Sequence, residues 1–523
     1  MPGYAADIAI IGGGLGGCAA ALAAADMGAS VVLTEETRWL GGQATSQAVP
    51  PDEHRWIETG GATARYRAWR QGVRAYYRRH LPLTAEAAAT AHLNPGNGWV
   101  SRLCHDPRVG LAVLLGMLAA HVCSGRIRVL HRQRATGVSL RRDTVAAITL
   151  RDLDADREAL VEARYVLDAT ELGDLLPLAG AEYVVGAEAA AATGEPHAAA
   201  VADPRNQQGF TVCFALEHRA GEDHTIARPA DYAFWRDYRP SFWPGPLLGW
   251  VTPDPRTLQP VERGLFPEPG RNSLWRYRRI LDAANFAPGA MGGDVSLVNW
   301  PQNDYWLGPI CDVPPQEADR HLQRAKGLSL SLLYWLQTAA PRPDGGVGYP
   351  GLRLRPDVVG ETPDGLALAP YVRESRRIRA EYTVTEQQVG SSVRPDGPAR
   401  FADTVGVGCY RIDLHPSTGG DNYIDVGCWP FQIPLGALLP VRLENLLPAC
   451  KNLGVTHITQ GCYRLHPVEW NIGEAAGALA AFCLRQHVRP RQVRAEEALL
   501  AEFQGVLRAQ GVELEWPAGV AAV

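Results

Sequence analysis

The stretch DIAIIGGGLGGCAAALAAADMGASVVLTEE, residues 7–36, decides the fold of this chain. A β-branched run over 7–11 leads into a glycine-rich turn, an alanine-rich segment over 19–27 and a second apolar run over 30–33. This order predicts strand, turn, helix and strand. Because parallel neighbouring strands need a helical crossover, we expect a βαβ unit whose strands are buried on both faces.

Three glycines in this stretch have the spacing of a nucleotide-binding turn. Gly12 would make the tight turn, Gly14 would let the backbone approach a pyrophosphate, and Gly17 would let the helix pack on the strand. An acidic residue about 20 positions further on is where a ribose hydroxyl finds an acceptor. We expect Glu35 to be that acceptor, with Glu36 as the alternative. A glycine-rich turn in another α/β fold is the competing explanation.

The glycine turn alone does not distinguish NAD from FAD. Gly41, Gly42 and Gln43 follow the acidic strand end almost immediately. A glycine pair there permits close backbone approach to a bulky ligand that runs along the sheet edge. The segment therefore favours FAD, although an ordinary loop would also explain it.

Composition and charge exclude several classes of partner. With 46% hydrophobic and 20% charged residues, the 523-residue chain has the composition of a globular protein of more than one domain. The 51 basic and 56 acidic residues leave a formal charge of -5, which gives no global attraction to nucleic acid or anionic lipid. The longest apolar stretch, 109–122, is too short to span a bilayer and is expected to be a buried helix.

The amino-terminal residues lack the pattern of a signal peptide, so we expect a cytoplasmic protein. The ten cysteines include no C-x-x-C pair, so most should be reduced, buried thiols, and we expect no metal site. Residues 39–80 are aromatic, basic and irregular and are expected to wrap a ligand rather than form a sheet. A helix over 107–123 and strands over 126–130, 135–140, 145–150 and 163–167 are predicted next, the middle strands forming a meander.

Three separated blocks, 7–47, 168–173 and 452–477, resemble the family of FAD-dependent oxidoreductases with a glutathione-reductase-type flavin domain, which is distantly related to fumarate reductase flavoproteins. The resemblance implies one FAD, bound non-covalently. It places Ala169, Thr170 and Gly173 near the dinucleotide, although Glu171 stands where the simplest form of the motif has glycine. Cys104 followed by His105 is a conceivable covalent attachment point, but we do not expect attachment there.

The third block resembles the segment that brings a helix N-terminus toward the flavin ring. We predict a helix over 473–484. A helix N-terminus stabilises the negative charge that reduced flavin develops. Asn471, Ile472 and Gly473 are therefore the expected contacts, while close helix packing is an alternative role for the glycine.

Polar residues just before this helix are the candidates for chemistry. Arg464 would hold a substrate carboxylate or the developing flavin charge, and His466 would act as a general base. Glu469 lies in the same segment, and His457 is a second candidate base. Structural roles for these side chains remain open.

The middle of the chain offers a candidate substrate wall. Asn299, Trp300, Asn303 and Tyr305 combine hydrogen-bonding and aromatic groups, as small-ligand pockets do, although a buried aromatic core would look similar. The charge run 373–377 is expected to be a solvated helix face.

The sequence thus predicts an α/β fold: a Rossmann-like FAD-binding domain, with a parallel sheet and a β-meander, and an inserted α+β substrate domain. The expected boundaries are 1–184 and 435–485 for the flavin domain, 185–434 for the substrate domain and 486–523 for carboxy-terminal helices. The leading function is hydride transfer between flavin and a small organic molecule, by a dehydrogenase or oxidase. A flavin monooxygenase and a non-catalytic flavin-binding or electron-relay subunit are the alternatives. A homo-oligomer remains open.

Overall fold

A computed structural model describes residues 3–523 of the chain. Residues 3–184 build most of the main sheet. Their elements are β1 (Gly3–Ile11), α1 (Leu15–Asp26), β2 (Val31–Glu35), α2 (Ala64–His80), α3 (Ala85–Ala89), α4 (Pro107–Cys123), β3 (Ile127–His131), β4 (Gln133–Arg141), β5 (Thr144–Asp152), β6 (Arg157–Asp168), α5 (Leu175–Leu178) and β7 (Tyr183–Val184).

Residues 185–434 contain short strands in several small sheets, together with one long helix. Their elements are α6 (Ala190–Thr193), β8 (Phe210–Thr211), β9 (Phe214–His218), α7 (Tyr232–Asp237), β10 (Val251–Pro253), β11 (Pro260–Gly264), β12 (Asn272–Ser273), α8 (Leu274–Tyr277), β13 (Arg279–Leu281), β14 (Val295–Val298), β15 (Asp304–Tyr305), α9 (Pro315–Thr338), β16 (Leu352–Leu354), α10 (Pro356–Val359), β17 (Arg377–Ile378), α11 (Glu386–Val389), β18 (Thr404–Gly408), β19 (Ile412–Leu414), β20 (Ile424–Val426) and β21 (Phe431–Pro434).

The remaining elements return to the main sheet and then cover it. They are β22 (Leu446–Pro448), α12 (His457–Tyr463), α13 (His466–Gln486), α14 (Pro490–Ala495) and α15 (Glu497–Ala509). The division of the chain into domains at the boundaries given above stays a prediction.

The main sheet has the order β3-β2-β1-β6-β5-β4, and β22 pairs with β6. The contacts of β1 with β2 and β6, of β2 with β3, and of β6 with β22 are parallel, whereas β4, β5 and β6 form the antiparallel meander. The predicted fold class, a mixed α/β fold with a parallel sheet and a meander, is therefore confirmed. The carboxyl ends of β1, β2 and β6 lie at one edge of this sheet, where ligands of such folds bind.

Helices α1 and α13 cross directly above the sheet at glycine positions. A Cβ on Gly473 would lie 2.0 Å from the carbonyl oxygen of Gly16, and one on Gly477 would lie 2.3 Å from that of Ala20. Close packing of this kind is possible only without side chains at both glycines. The pair forms the centre of the largest apolar core, and a second core, rich in tryptophan and tyrosine, lies within 210–423.

Three expectations about helices were wrong. Within 39–80, which was expected to be irregular, α2 forms because Thr63 caps it by accepting from the amide of Tyr66, and because Tyr66, Trp69, Val73 and Tyr77 make a buried stripe. Helix α4 is only half-buried, since Leu115 and Val122 are exposed. The third expectation concerned the start of α13. This helix begins at His466, seven residues before the expected residue 473, because Pro467 favours a helix start.

In the part of the chain that the structure describes, none of the helices combines the length and apolar character that a membrane crossing requires.

Candidate functional site

The turn between β1 and α1 forms one side of a groove at the carboxyl edge of the sheet. Gly12 has a φ of 105°, and a Cβ there would lie 2.2 Å from the carbonyl oxygen of Ala169, so only glycine fits. Gly14 is the N-cap of α1 and has no side chain to cap it, whereas the amide of Gly16 in the first turn donates to Glu469. The positive end of the helix dipole still favours an anion in front of this turn. We call the cavity of about 310 Å³ above this turn the nucleotide groove; it is lined by Gly12–Gly14, Glu35, Glu36, Gly42, Gln47, Arg134, Ala169, Thr170 and Val372, among others.

Glu35 lies at the end of β2 in the wall of the groove. Its carboxylate accepts from the amides of Gly13, at 3.0 Å, and Thr37, at 2.8 Å. Burial raises the pKa of Glu35 to about 7. Glu36 also lines the groove but forms an ion pair with Arg134 at 2.9 Å.

The Gly41–Gln43 segment ties the groove to the carboxy-terminal part of the chain. The amide of Gly41 donates to Gly13 O at 2.7 Å, and the side-chain amide of Gln43 donates to Arg464 O at 2.9 Å and to Glu469. Gly41 itself adopts a left-handed φ of 103°. The side-chain oxygens of Gln43 and Gln47 are buried without a partner among the described residues.

The turn after β6 forms the opposite side of the groove. Ala169 and Thr170 line it, whereas Gly173 lies against Arg376 outside the lining. Asp168 holds this turn by accepting from the amide and the hydroxyl of Thr170, at 3.1 and 2.6 Å, and burial raises its pKa to about 7. Glu171, the departure from the simplest motif, points toward Gly42 and forms an ion pair with Lys451.

Beneath the glycine turn lies a group of ionisable side chains. The carboxylate of Glu469 accepts from the amide of Gly16 at 3.0 Å, and burial, followed by repulsion from Glu171, raises its pKa. Ligand atoms of Glu171, Cys450 and Glu469 lie within 4.8 Å of one another, the spacing of a metal site. The ammonium group of Lys451 already supplies positive charge there.

Asn471, Ile472 and Gly473 lie in the second turn of α13, because the helix begins earlier than expected. The side chain of Asn471 accepts from the amide of Val407 at 3.2 Å, Ile472 is fully buried, and Gly473 packs on Gly16. The residues at the start of this helix are instead Leu465, His466 and Pro467. A flavin contact by residues 471–473 stays a prediction.

Arg464 and His466 are both buried, at 2% and 0% exposure, and line neither the nucleotide groove nor the second cavity described below. Arg464 donates to the hydroxyl of Tyr371 at 2.7 Å and to the carboxylate of Asp413 at 3.2 Å. Nδ1 of His466 accepts from the amide of Asp52 at 3.1 Å, and its Nε2 lies 3.3 Å from Val49 O. Burial lowers the pKa of His466 to about 4, so this imidazole is neutral at pH 7.

His457, the second candidate base, lies in a buried charged cluster. Its Nδ1 is 2.9 Å from the carboxylate of Glu374, which in turn pairs with Arg377. Burial opposes charge on His457, but the carboxylate of Glu374 prevails and raises its pKa. His457 is among the lining residues of neither cavity.

The second cavity, which we call the arginine cavity, has a volume of about 690 Å³. Its lining includes Arg55, Arg256, Arg263, Arg278, Arg411, Tyr277, Tyr410, Tyr423, Asn299, Trp300, Asp413 and His415. Of the four residues predicted to form a substrate wall, Asn299 and Trp300 are here. Asn303 instead accepts from the amide of Trp300 inside the protein, and Tyr305 is 2.7 Å from His321.

The charge run 373–377 is not a solvated face, so that expectation was wrong. Arg373 and Arg377 are buried, at 1% and 0% exposure, and Glu374 is at 3%. Carboxylates from distant segments explain this burial: Asp304 is 3.0 Å from Arg373, and Glu188 is 2.8 Å from Arg377. Arg373 also donates to the side-chain oxygen of Asn299 at 3.2 Å, which connects it to the arginine cavity.

Sequence reasoning missed an imidazole in the arginine cavity. Nδ1 of His415 lies 2.6 Å from the carboxylate of Asp304, and its Nε2 lies 3.7 Å from that of Asp413. Although burial opposes ionisation of Asp304, Arg373 and His415 hold its pKa below the ordinary value. No local motif surrounds His415, so only the fold reveals this pair.

Cys104 and His105, the conceivable attachment point, are both buried and line neither cavity. All ten cysteines are free thiols, and nine of them are buried, as expected for most of them.

The residues of the groove fit FAD. The glycine turn lies at the groove with no side chains to exclude a diphosphate, the start of α1 faces it, and Glu35, the acceptor expected for a ribose, is in the lining. Lys451 forms an ion pair with Glu171, one of the carboxylates beside this turn.

Comparison with known proteins agrees with these features. A family profile described as FAD dependent oxidoreductase matches residues 7–507. No curated protein matches the chain.

Solved structures match over parts of the chain. L-proline dehydrogenase from P. horikoshii is 17% identical over 35% of this chain and 24% of its own, with a TM-score of 0.19. An open flavocytochrome c3 fumarate reductase is 17% identical over 32% of this chain and 34% of its own, with a TM-score of 0.21. 3-ketosteroid-Δ4-(5α)-dehydrogenase from Rhodococcus jostii RHA1 is 18% identical over 32% of this chain and 45% of its own, with a TM-score of 0.20. Each match therefore spans less than half of the solved protein.

Proposed function

The chain belongs to the FAD-dependent oxidoreductase family, and from that premise we propose that it transfers a hydride between bound flavin and a small organic substrate held in the arginine cavity. When bound, FAD supplies the two-electron chemistry, and the protein contributes binding, orientation and proton transfer.

A hydrogen-bonded connection from Tyr371 through Arg464 to Asp413 is the observation that carries this proposal. Tyr371 lies between Pro370 and Val372, which line the nucleotide groove, and its hydroxyl accepts from Arg464. Arg464 in turn pairs with Asp413, which lines the arginine cavity. Hydride transfer requires the substrate carbon to touch the flavin ring, so the ring of a flavin bound in the groove would lie beside Tyr371 and Arg464 with one face open to the arginine cavity.

We assign proton transfer to His415 rather than to His466. Both nitrogens of His466 make contacts inside the protein, an arrangement that favours a positioning role. His415 lines the cavity; its Nδ1–H donates to Asp304, and its Nε2 is 3.7 Å from Asp413, beyond hydrogen-bond distance, so the neutral imidazole would have a lone pair there. Oxidation of a carbon that bears a hydroxyl releases the hydroxyl proton as the hydride leaves, and Nε2 of His415 would take that proton.

Arg464 would stabilise charge on the reacting molecule. Its two hydrogen bonds to Asp413 and Tyr371 fix the guanidinium plane, and its Nε has no partner among the described residues. A fixed guanidinium at this position would stabilise negative charge that develops during the reaction.

Anaerobic titration of the yellow holoprotein tests the proposal. Alcohols, amines, sugars and hydroxy acids would be added one at a time while the flavin absorption band is followed. We expect at least one class to bleach the band by two-electron reduction, and His415→Asn to slow that bleaching. Protein that carries FAD but is reduced by none of these classes, and by dithionite alone, would contradict hydride transfer from a small substrate.

A further inference from the structure

Four buried polar groups on the walls of the arginine cavity have no hydrogen-bond partner among the described residues. They are Nε of Arg278, Nδ2 of Asn299, Nε1 of Trp300 and the hydroxyl of Tyr423. Each of these residues is at most 6% exposed. The first three groups can only donate a hydrogen bond, and the fourth can donate as well. Because buried donors are normally satisfied, their concentration around one cavity indicates a ligand that is rich in acceptor oxygens.

The carboxylates that line the cavity already have ion-pair or hydrogen-bond partners within the protein. Asp413 pairs with Arg464, and Asp425 pairs with Arg411 and lies 3.5 Å from Arg256. Glu53 pairs with Arg70 at 2.8 Å, and Asp254 accepts from two backbone amides of its own turn.

Two arginines of the cavity, Arg263 and Arg278, have few or no carboxylate partners. Within residues 3–523, Arg263 forms no ion pair, and its Nε donates to the hydroxyl of Thr252. Arg278 is buried and has a single carboxylate neighbour, Asp52, at 3.4 Å. A buried guanidinium with one long contact retains most of its donors for a further anion. The cavity therefore has unmatched positive charge.

The rest of the lining suits a carbon skeleton. Leu274, Tyr277, Tyr410 and Trp300 present apolar or aromatic surface, and about 690 Å³ is ample for a small molecule. Inorganic phosphate or sulfate would use the charge but not this surface.

We propose that the arginine cavity binds a small organic acid whose carboxylate contacts Arg278 and Arg263, and whose further hydroxyl or carbonyl oxygens accept from Asn299, Trp300 and Tyr423. The acid would be the substrate of the oxidoreductase; that part rests on the proposed function, whereas binding itself does not.

Titration calorimetry of the FAD-loaded protein tests this inference without turnover. Succinate, malate and mandelate would be compared with their neutral amides, succinamide, malamide and mandelamide. We expect at least one acid to bind about 10-fold or more tightly than its amide, since a charged hydrogen-bond pair is lost in the amide. Equal binding of acids and amides, or no acid binding at millimolar concentration, overturns the proposal.

Matched variants locate the binding. Arg278→Gln should weaken acid binding about 10-fold or more, and Arg278→Lys should weaken it less, because the charge remains. Arg355→Gln is the control: this arginine pairs with Glu217 and Asp357 and does not line the cavity. An Arg278→Gln protein that binds the acid as tightly as the parent overturns the assignment.

Two further variants separate binding from folding. Trp300→Phe and Tyr423→Phe each remove a polar group that makes no hydrogen bond in the protein. We expect an unchanged thermal midpoint for Tyr423→Phe and a lower one for Trp300→Phe, which also removes buried ring volume, with a loss of acid affinity of about 3- to 10-fold for each. Unchanged acid affinity in both would overturn the assigned contacts. Acid binding without flavin reduction would support the proposed binding site and would contradict only the proposed hydride transfer.

Discussion

The guanidinium of Arg464 lies 2.7 Å from the hydroxyl of Tyr371, a residue that stands between Pro370 and Val372 of the nucleotide groove. The two residues are 93 positions apart in the chain. Arg464 also pairs with Asp413, which lines the arginine cavity, so one side chain connects neighbours of the groove with the lining of the cavity.

Replacing the buried Arg464 by Met should destabilise the protein by about 1–3 kcal/mol, because the half-buried Asp413 loses a partner and the hydrogen bond to Tyr371 is lost. His415, and after it Arg464, hold the pKa of Asp413 well below its usual range, against opposing burial. Chemical denaturation measures the loss. The double variant with Asp413→Asn should recover part of it, and a double variant less stable than Arg464→Met would contradict the pairing.

Glu35→Gln should weaken FAD binding by about 10- to 100-fold above pH 8, where a group with a pKa of about 7 is charged, since a charged acceptor contributes about 1.5–3 kcal/mol. Fluorescence titration of deflavinated protein gives the dissociation constant. Glu36→Gln is the control, because Glu36 is occupied by Arg134. A larger loss in Glu36→Gln than in Glu35→Gln would reverse the assignment of the ribose acceptor.

Two helix glycines should respond in opposite directions to alanine. Gly473→Ala would force a Cβ to within 2.0 Å of Gly16 O and should cost about 1–3 kcal/mol or more. Gly116, in α4, has nothing within 4 Å of the added Cβ, so Gly116→Ala should stabilise by about 0.5–1 kcal/mol. Thermal unfolding compares them, and equal midpoints would argue against the close crossing of α1 and α13.

Asp168 should make the flavin-free protein less stable as the pH rises. Burial raises its pKa from 3.8 to about 7, so the folded state binds a proton that the unfolded state releases between these values. Its contribution is fully present below pH 3.8 and is lost as the pH rises through about 7, by up to about 4 kcal/mol. Asp168→Asn should flatten the pH profile of unfolding free energy in that window. A variant profile as steep as that of the parent would contradict the shift.

His415→Asn should slow flavin reduction by about 100-fold or more, as expected when a general base is lost. Binding of the reducing substrate should change much less. Stopped-flow reduction at several substrate concentrations separates the two effects, with His466→Asn as the comparison. A loss confined to the dissociation constant would assign His415 to binding instead.

The sequence predicted the sheet and the glycine turn because their signals are local. Gly12, Gly14 and Glu35 lie within one βαβ unit, whose periodicity and spacing are visible in 30 residues. The start of α13 also had a local signal, the proline at residue 467, which the sequence interpretation did not use.

The arginine cavity had no such signal. Arg278, Asn299, Asp413 and His415 come from separate segments and meet only through tertiary packing. The run 373–377 was misjudged for the same reason, since Asp304 and Glu188, the carboxylates that permit its burial, lie far away in the chain.

A crystal structure of the FAD-loaded protein tests the central claim most directly. The account predicts the diphosphate over Gly12–Gly14, a ribose on Glu35, and the flavin ring against the layer formed by Tyr371 and Arg464, with its exposed face toward the arginine cavity. A flavin ring separated from the arginine cavity by further packed side chains would contradict the account.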